Sequence, residues 1–219
     1  MLTSEQVAKN HEKFKNLILE AAQLKPEKQK GLEKLLDYLE QTDFYKAPAS
    51  TKYHQNYEGG LVEHSLNVLE HLELLCKAYN VSEEKVSRYS MIITALLHDL
   101  CKINLYEKAY QGHYLKDKDG KDVMIDGRKK WVEDEVFRYR NDFLPMGHAM
   151  KSLFVISHFI ILTEQEASAI AGHMGEFDKS DYFTSQNLSD LYTKNTLAYL
   201  LHEADVNDLY MSEYIHKGE

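Results

Sequence analysis

The chain has 219 residues, a formal net charge of −9, eleven histidines, two cysteines and three prolines. Hydrophobic residues make up 43% and charged residues 28%, which predicts one compact, soluble domain with a sizeable core and excludes a disordered or collagen-like chain. The acidic balance disfavours binding of long nucleic acid through a broad basic face, and two cysteines are too few for a disulfide framework.

The first sixty residues predict two helices and then an irregular segment. The N-terminal sequence MLTSEQVAKNHEKF lacks the apolar block of a secretory signal peptide, so we expect a cytoplasmic protein. Thr3 and Gln6 have the spacing of a capping box, followed by apolar residues at helical spacing. A second helix is predicted from Pro26 to about Gln41, because proline suits a first helical turn. Residues 42–60 contain Pro, Ser, Asn and a pair of glycines, which predict a loop.

Two further helices are predicted in the middle of the chain. One runs from Leu61 to Tyr79, with its apolar residues on one stripe. Ser82 is predicted to cap the next, with two glutamates in its first turn, and the string MIITALLHDL marks that helix as central. The longest apolar run, residues 154–162, contains Ser157 and His158 and is too short to cross a bilayer, so no membrane partner is expected.

Residues from about 105 to 143 interrupt the helical pattern. They contain a DG turn and the short β-favouring strings HYL, DVMI and WVEDEVF, which predict one or two β-hairpins. We interpret this segment as an insertion that could serve as a lid. After it, Thr163 and Glu166 predict a capping box for a helix that ends near His173, and the last helix is predicted to start near Asn195.

Several histidines lie at or near the predicted helix ends, and two are accompanied by aspartates. Side chains from separate helix ends can converge on one point, and imidazole with carboxylate suits Mn, Fe, Co, Ni or Zn better than Mg. A carboxylate can bridge two such ions, and a divalent metal lowers the pKa of bound water towards neutrality. This chemistry fits phosphoester hydrolysis. The candidate metal ligands are His64, His98, Asp99, His148, His173 and Asp205.

The ordered pattern H…HD…H…H…D stands in the strings EGGLVEHSLNV, ALLHDLCKI, PMGH, SAIAGHMGEFD and LAYLLHEADVNDLY. From about Tyr57 to Asp208 the sequence therefore resembles the HD-domain metal-dependent phosphohydrolase superfamily. The string GGLVEHSLNV is similar to the HD domain of certain 3′–5′ exoribonucleases, and APASTKYHQNYEGGLVEH to uncharacterised, phage-associated HD proteins. The cyclic-dinucleotide branch has paired histidines and a GYP string, where this chain has His173-Met174 and GEFD.

The resemblance implies an all-α fold, an HD-domain helical bundle with a small β-hairpin insertion. It implies an HD domain at residues 57–219, with residues 1–56 packing on it as helices and a loop. In the superfamily one metal would be held by His64, His98, Asp99 and Asp205. Asp99 would bridge to a second ion held by His148 and His173. Lys102 matches the lysine of the HDxxK string, which implies contact with the substrate phosphate and, with Asp99, a catalytic role.

Other residues are candidates for substrate contact. Lys52, Tyr53 and His54 precede the first ligand in a loop that could fold over the site, and Lys151 lies one turn after His148. His202, three residues before Asp205, is predicted to orient a ligand or line the pocket. Each has a plainer interpretation as a solvated or packing residue. For Lys102 the plainer role is a helix-end lysine, and for His148 and His173 it is helix capping.

We therefore predict an enzyme: a metal-dependent phosphohydrolase that uses one or two divalent transition-metal ions on a nucleotide or similar small phosphoester. One alternative is a 3′–5′ exonuclease on short single strands, which the acidic balance disfavours. Another is a non-catalytic sensor that binds metal or nucleotide. The tyrosine-rich, partly apolar helices leave room for a homo-oligomer.

Overall fold

The computed structural model describes residues 2–52, 54–142, 145–177 and 185–215, without the side chains of residues 185 and 212–215. Tyr53, one of the predicted loop residues, lies outside this set. The helices are α1 (Ser4–Leu24), α2 (Gln29–Glu40), α3 (Gly60–Ala78), α4 (Arg88–Leu97), α5 (His148–Ser157), α6 (Glu164–Gly172), α7 (Ser185–Lys194) and α8 (Thr196–Ile215). The strands are β1 (Tyr106–Tyr114), β2 (Met124–Ile125), β3 (Arg128–Lys129) and β4 (Trp131–Tyr139). The prediction of a helical domain with a small β insertion is confirmed.

Two predicted helix starts have the expected caps. The Thr3 hydroxyl accepts a hydrogen bond from the backbone of Gln6, and the Gln6 side chain accepts one from the backbone of Thr3. Thr163 and Glu166 form the same reciprocal pair at the start of α6. Each box satisfies two backbone N–H groups that have no partner inside the helix, so both helix starts are fixed locally.

The predicted cap at Ser82 is wrong. Helix α4 begins at Arg88, and the Ser87 hydroxyl accepts a 3.1 Å hydrogen bond from the backbone of Ser90. The carbonyl of Ser82 instead closes a turn, accepting from the backbone N–H groups of Lys85 and Val86. A second serine five residues along supplies an equivalent cap, and tertiary packing selects between them.

One hydrophobic core joins the helices. It contains buried residues from α1 to α6 and from α8, among them Phe14, Leu32, Leu66, Ile93, Ile156, Ile170 and Leu201. Helix α4 lies at its centre, since every residue from Met91 to Leu97 is buried. The core holds the carboxyl end of α4, where His98 and Asp99 follow, in a fixed position. The boundary between residues 56 and 57 stays a prediction.

The insertion is a two-stranded antiparallel ribbon. Strands β1 and β4 pair from Tyr106–Tyr139 at the base to Tyr114–Trp131 farther out. Strands β2 and β3 pair around a turn at residues 126–127, where φ is 49° and 77°, as a two-residue hairpin with Asp-Gly requires. The hairpin prediction is confirmed, and the lid role stays a prediction. Within the described part of the chain, no helix is both long and apolar enough to span a bilayer.

Replacing Gly31 by alanine is expected to lower the melting temperature, although alanine is the better helix former by about 1 kcal/mol. A Cβ at Gly31 would lie 2.1 Å from the backbone oxygen of Phe159 and 2.9 Å from Cγ2 of Ile160. Such overpacking costs about 1–3 kcal/mol and outweighs the propensity gain. Thermal unfolding checks this, with exposed Lys34→Ala as a control expected to change stability by less than about 0.5 kcal/mol.

Candidate metal centre

The structure brings all six candidate metal ligands together. They come from five helices: His64 from α3, His98 and Asp99 from the end of α4, His148 from the start of α5, His173 from the end of α6 and Asp205 from α8. Potential ligand atoms form three groups, and within each group the atoms lie within 4.8 Å of one another. The groups are His64–His98–Asp99, His98–His173–Asp205 and Asp99–Cys101–His148. His98 and Asp99 each belong to two of these groups, so this adjacent pair links the three.

Three other candidate ligands lie around Nε2 of His64. It lies 3.2 Å from Nε2 of His98, 3.1 Å from Oδ1 of Asp205 and 3.5 Å from Oδ2 of Asp99. The side chains of His64, His98 and Asp99 are at most 3% exposed. Buried nitrogen and carboxylate atoms this close together need a shared cation or shared protons.

Two of the histidine rings are oriented by backbone carbonyls. Nδ1 of His98 donates to the carbonyl of Ala95 at 2.8 Å, and Nδ1 of His173 donates to that of Ile170 at 2.6 Å. A carbonyl only accepts hydrogen bonds, so Nδ1 carries the proton in both rings and the neutral ring presents a lone pair at Nε2. In metal-binding histidines, the ring nitrogen that does not bind the metal usually donates such a hydrogen bond, and this bond fixes the tautomer.

His64 is oriented by a carboxylate that sequence analysis did not identify. Its Nδ1 donates to Oδ2 of Asp208 at 2.6 Å, and Asp208 also accepts from Gln55 at 3.0 Å and Asn67 at 2.9 Å. Asp208 is 1% exposed. It stands three residues after Asp205 on α8, and this i, i+3 spacing of two acids in an apolar helix is the sequence signal that could have identified it.

The donor set fits a divalent transition metal. Nε2 of His173 is buried, has no hydrogen-bond partner among the described residues and lies 3.8 Å from Oδ1 of Asp99. An unpartnered buried lone pair is costly, whereas a cation bound to it and to the neighbouring carboxylates would satisfy it. Imidazole nitrogens with carboxylate oxygens are typical ligands of Mn, Fe, Co, Ni and Zn. How the histidines divide between one or two ions stays a prediction.

The charges of the cluster are strongly coupled. Burial favours the neutral form of Asp99, but the nearby Lys102 ammonium, with a further contribution from His148, outweighs it and holds the carboxyl pKa well below its usual value. Burial lowers the pKa of His64, but Asp205 and Asp208 raise it to about 10. A dication bound to these carboxylates would displace that proton, because a metal-binding imidazole must be neutral.

Lys102 ends a short 3₁₀ turn directly after the His-Asp pair. Its Nζ lies 2.6 Å from Oδ2 of Asp99 and the residue is 8% exposed. Burial lowers the lysine pKa, but the Asp99 carboxylate outweighs it, so the pKa is raised and the side chain stays charged. Lys102 therefore brings a fixed positive charge to the edge of the cluster.

Two cavities meet at this cluster. One of about 520 Å³ extends past Phe177, Val206 and Leu209, and one of about 420 Å³ extends towards Tyr106 and Tyr139 at the ribbon base. Four residues line both cavities, namely His54, Lys102, His148 and Met174. Small-molecule sites fall in this size range, so a small ligand could lie against the cluster with a substituent in each cavity.

The four predicted substrate-contact residues differ in position. His54 lies between the cavities, with neither ring nitrogen hydrogen-bonded to a described residue, and burial lowers its pKa to about 3. Lys151 lines the smaller cavity. His202 donates from Nδ1 to the carbonyl of His173 at 2.7 Å, so it supports the end of α6. Lys52 is exposed and is not among the described residues that line these two cavities.

Comparison with known proteins shows a partial similarity to a phosphodiesterase. No family model and no solved structure matches the chain. Over 73 residues, 32% of this chain, the sequence is 38% identical to dihydroneopterin 2′,3′-cyclic phosphate phosphodiesterase from Methanocaldococcus jannaschii. The matched segment spans 28% of that protein's own length. A weak relative that hydrolyses a phosphoester and a buried His/Asp cluster compatible with an HD-like metal site thus point to the same chemistry.

Proposed function

We propose that the protein is a metal-dependent phosphohydrolase of the HD type, acting on a phosphodiester of a nucleotide or a similar small molecule. The observation that carries the proposal is the convergence of His64, His98, Asp99 and Asp205 from three helices in one buried cluster. Such a set is costly to bury without a cation, and its atoms suit a transition metal. The named activity of the relative adds independent support.

The residues divide the chemistry between them. A bound divalent metal would supply Lewis acidity and lower the pKa of a water molecule. Asp99 would hold the metal in place, since Oδ2 faces His64 and His98 while Oδ1 faces His148. Lys102 would pair with a phosphate oxygen as a point charge, and His54 would offer a neutral ring to the substrate from the junction of the cavities.

The two cavities favour a diester over a monoester. A phosphodiester has two substituents on its phosphorus atom, and two cavities that share four lining residues meet at the cluster. The apolar walls formed by Phe177, Val206 and Leu209 suit the flat face of a heterocyclic ring. By analogy with the relative, we also include 2′,3′-cyclic phosphates of nucleosides or pterins in the substrate class, although both of their ester oxygens belong to one substituent and would occupy a single cavity.

A metal-reloading assay tests the proposed function. The protein is stripped with a chelator, reloaded separately with Mn, Fe, Co, Ni or Zn, and assayed on 2′,3′-cyclic nucleotides, bis(p-nitrophenyl) phosphate and p-nitrophenyl phosphate. We expect the stripped protein to be inactive and at least one metal to restore hydrolysis of the diesters. The absence of product with every metal would contradict the proposal.

Two further measurements on the reloaded protein separate the two alternatives. Shortening of a labelled single-stranded oligonucleotide from its 3′ end, lost on chelation, would favour the exonuclease. Saturable nucleotide binding without product after long incubation would favour the sensor.

A further inference from the structure

The thiol of Cys101 lies beside two of the candidate ligands. We propose that Cys101 is itself a metal ligand, and that with His148 and Oδ1 of Asp99 it forms a cation position selective for thiophilic ions such as Zn²⁺ or Co²⁺. This inference rests on the proposed function at one point: Asp99 would be shared with the metal position proposed at His64, His98 and Asp205. Its ligand set contains a sulfur atom, which the pattern of histidines and aspartates does not include.

The distances around the sulfur match those of a metal site. Sγ of Cys101 lies 3.5 Å and 3.6 Å from the two ring nitrogens of His148 and 3.8 Å from Oδ1 of Asp99. Ligands bound at about 2.0–2.3 Å to a tetrahedral ion lie about 3.3–3.7 Å from one another. The sulfur therefore already lies near tetrahedral spacing from both partners.

The third distance of the group requires a small movement. Nε2 of His148 and Oδ1 of Asp99 are 2.7 Å apart, the length of a hydrogen bond, and would separate by about half an ångström around an ion. His148 is the first residue of α5 and its side chain is 29% exposed, so its ring has room to turn.

The fold holds the sulfur in this position. Cys101 lies in the 3₁₀ turn after Asp99, and its backbone N–H donates to Oγ of Ser152 at 2.9 Å. Ser152 is fully buried on α5, the helix that begins with His148. The hydrogen bond thus ties the turn that carries the thiol to the helix that carries the imidazole, as outer partners do at metal sites.

The group is accessible from the smaller cavity. Cys101, Lys102 and His148 all line it, although the Cys101 residue is only 2% exposed. An ion could enter there, and formation of the sulfur–metal bond would release the thiol proton to solvent. Three protein ligands would leave a fourth coordination position for water or substrate, as in catalytic rather than structural zinc sites. Thiolate ligation favours Zn²⁺ and Co²⁺ over Mg²⁺ and Mn²⁺.

Cobalt spectroscopy with a matched pair of cysteine variants tests the proposal. The full-length protein is stripped and titrated with Co²⁺, and its thiolate-to-cobalt charge-transfer absorption is recorded for wild type, Cys101→Ser and Cys76→Ser. Cys76 is the other buried free cysteine and lies on α3 near its end. We expect the band in wild type and Cys76→Ser and its loss in Cys101→Ser. Metal content should fall from about two ions per chain to about one in Cys101→Ser.

The proposal is overturned if wild type shows no such band, or if Cys101→Ser keeps the band and its metal content. X-ray absorption of the zinc-loaded wild type gives a check that needs no variant, because a sulfur neighbour at about 2.3 Å must be present. A protein that hydrolyses the diesters without sulfur ligation refutes the thiolate site and leaves the proposed function intact. Sulfur ligation without hydrolysis of any phosphoester refutes the function and leaves the ligand intact.

Discussion

Replacing Asp99 by asparagine is expected to remove bound metal and to lower phosphoester turnover by more than about 100-fold. Loss of a residue that only hydrogen-bonds to a metal ligand typically costs about 10–100-fold, and loss of a ligand should cost more. One oxygen of this carboxylate faces His64 and His98 at 3.5 Å, and the other faces His148 at 2.7 Å. An amide has no charge to neutralise a cation and has a single acceptor oxygen, so the substitution affects both ligand groups at once. Metal analysis and the diester assay measure the result.

The fold of the Asp99→Asn variant needs separate measurement. Lys102 is buried and has its ion-pair partner in Asp99, 2.6 Å away. Leaving one charge of a buried pair without its partner costs about 3–5 kcal/mol in measured cases. Circular dichroism and thermal unfolding therefore accompany the assay, and activity is compared below the melting temperature of the variant.

A second buried acid gives the matched control. Glu166 is 3% exposed, completes the capping box of α6 and accepts a hydrogen bond from Ser90 at 2.8 Å. Glutamine serves the capping box equally well, so Glu166→Gln should keep metal and turnover. A folded Asp99→Asn protein with wild-type metal content and turnover would contradict the assignment of Asp99.

The sequence predicted which residues meet but not every contact they make. His98, His148 and His173 lie at helix ends, where side chains from separate helices can converge on one point. That these particular residues meet was predicted from the ordered pattern of histidines and aspartates that resembles the HD superfamily, and not from periodicity alone. The side on which each ring faces Asp99 depends on helix rotation and crossing, which sequence pattern does not specify. The contact of Cys101 with His148 likewise depends on how the helices pack, since 47 positions separate the two residues.

The helix starts also divide into those that nearby residues determine and those that depend on tertiary contacts. The capping boxes at Thr3 and Thr163 were predicted because the partners lie three residues apart and need no other part of the chain. The cap predicted at Ser82 was wrong, because the start of this helix depends on contacts outside the segment. Arg88, directly after the true cap, makes ion pairs with Glu20 of α1 and Glu73 of α3. Helix α7 was not predicted at all.

Replacing Asp208 by asparagine is expected to weaken metal binding by about 10–100-fold while leaving every candidate ligand in place. Asp208 accepts hydrogen bonds from His64, Gln55 and Asn67. An asparagine at this position would turn an amide N–H group towards at least one of these donors, and the negative charge that makes the His64 ring a stronger base would be lost. Isothermal titration of the stripped protein with Co²⁺ or Zn²⁺ measures the change in affinity.

Rescue by excess metal distinguishes the two aspartate variants. If Asp208 only positions His64, saturating metal should restore turnover of Asp208→Asn to near the wild-type value. Asp99→Asn should stay inactive, because it lacks the carboxylate that faces His64, His98 and His148. Asn67→Ala serves as a milder comparison, because it removes one donor at 2.9 Å and keeps the carboxylate. Unchanged metal affinity in a folded Asp208→Asn protein would show that His64 does not need the hydrogen bond from its Nδ1 to Asp208. Failure of excess metal to restore turnover would show that Asp208 takes part in the reaction and does more than position His64.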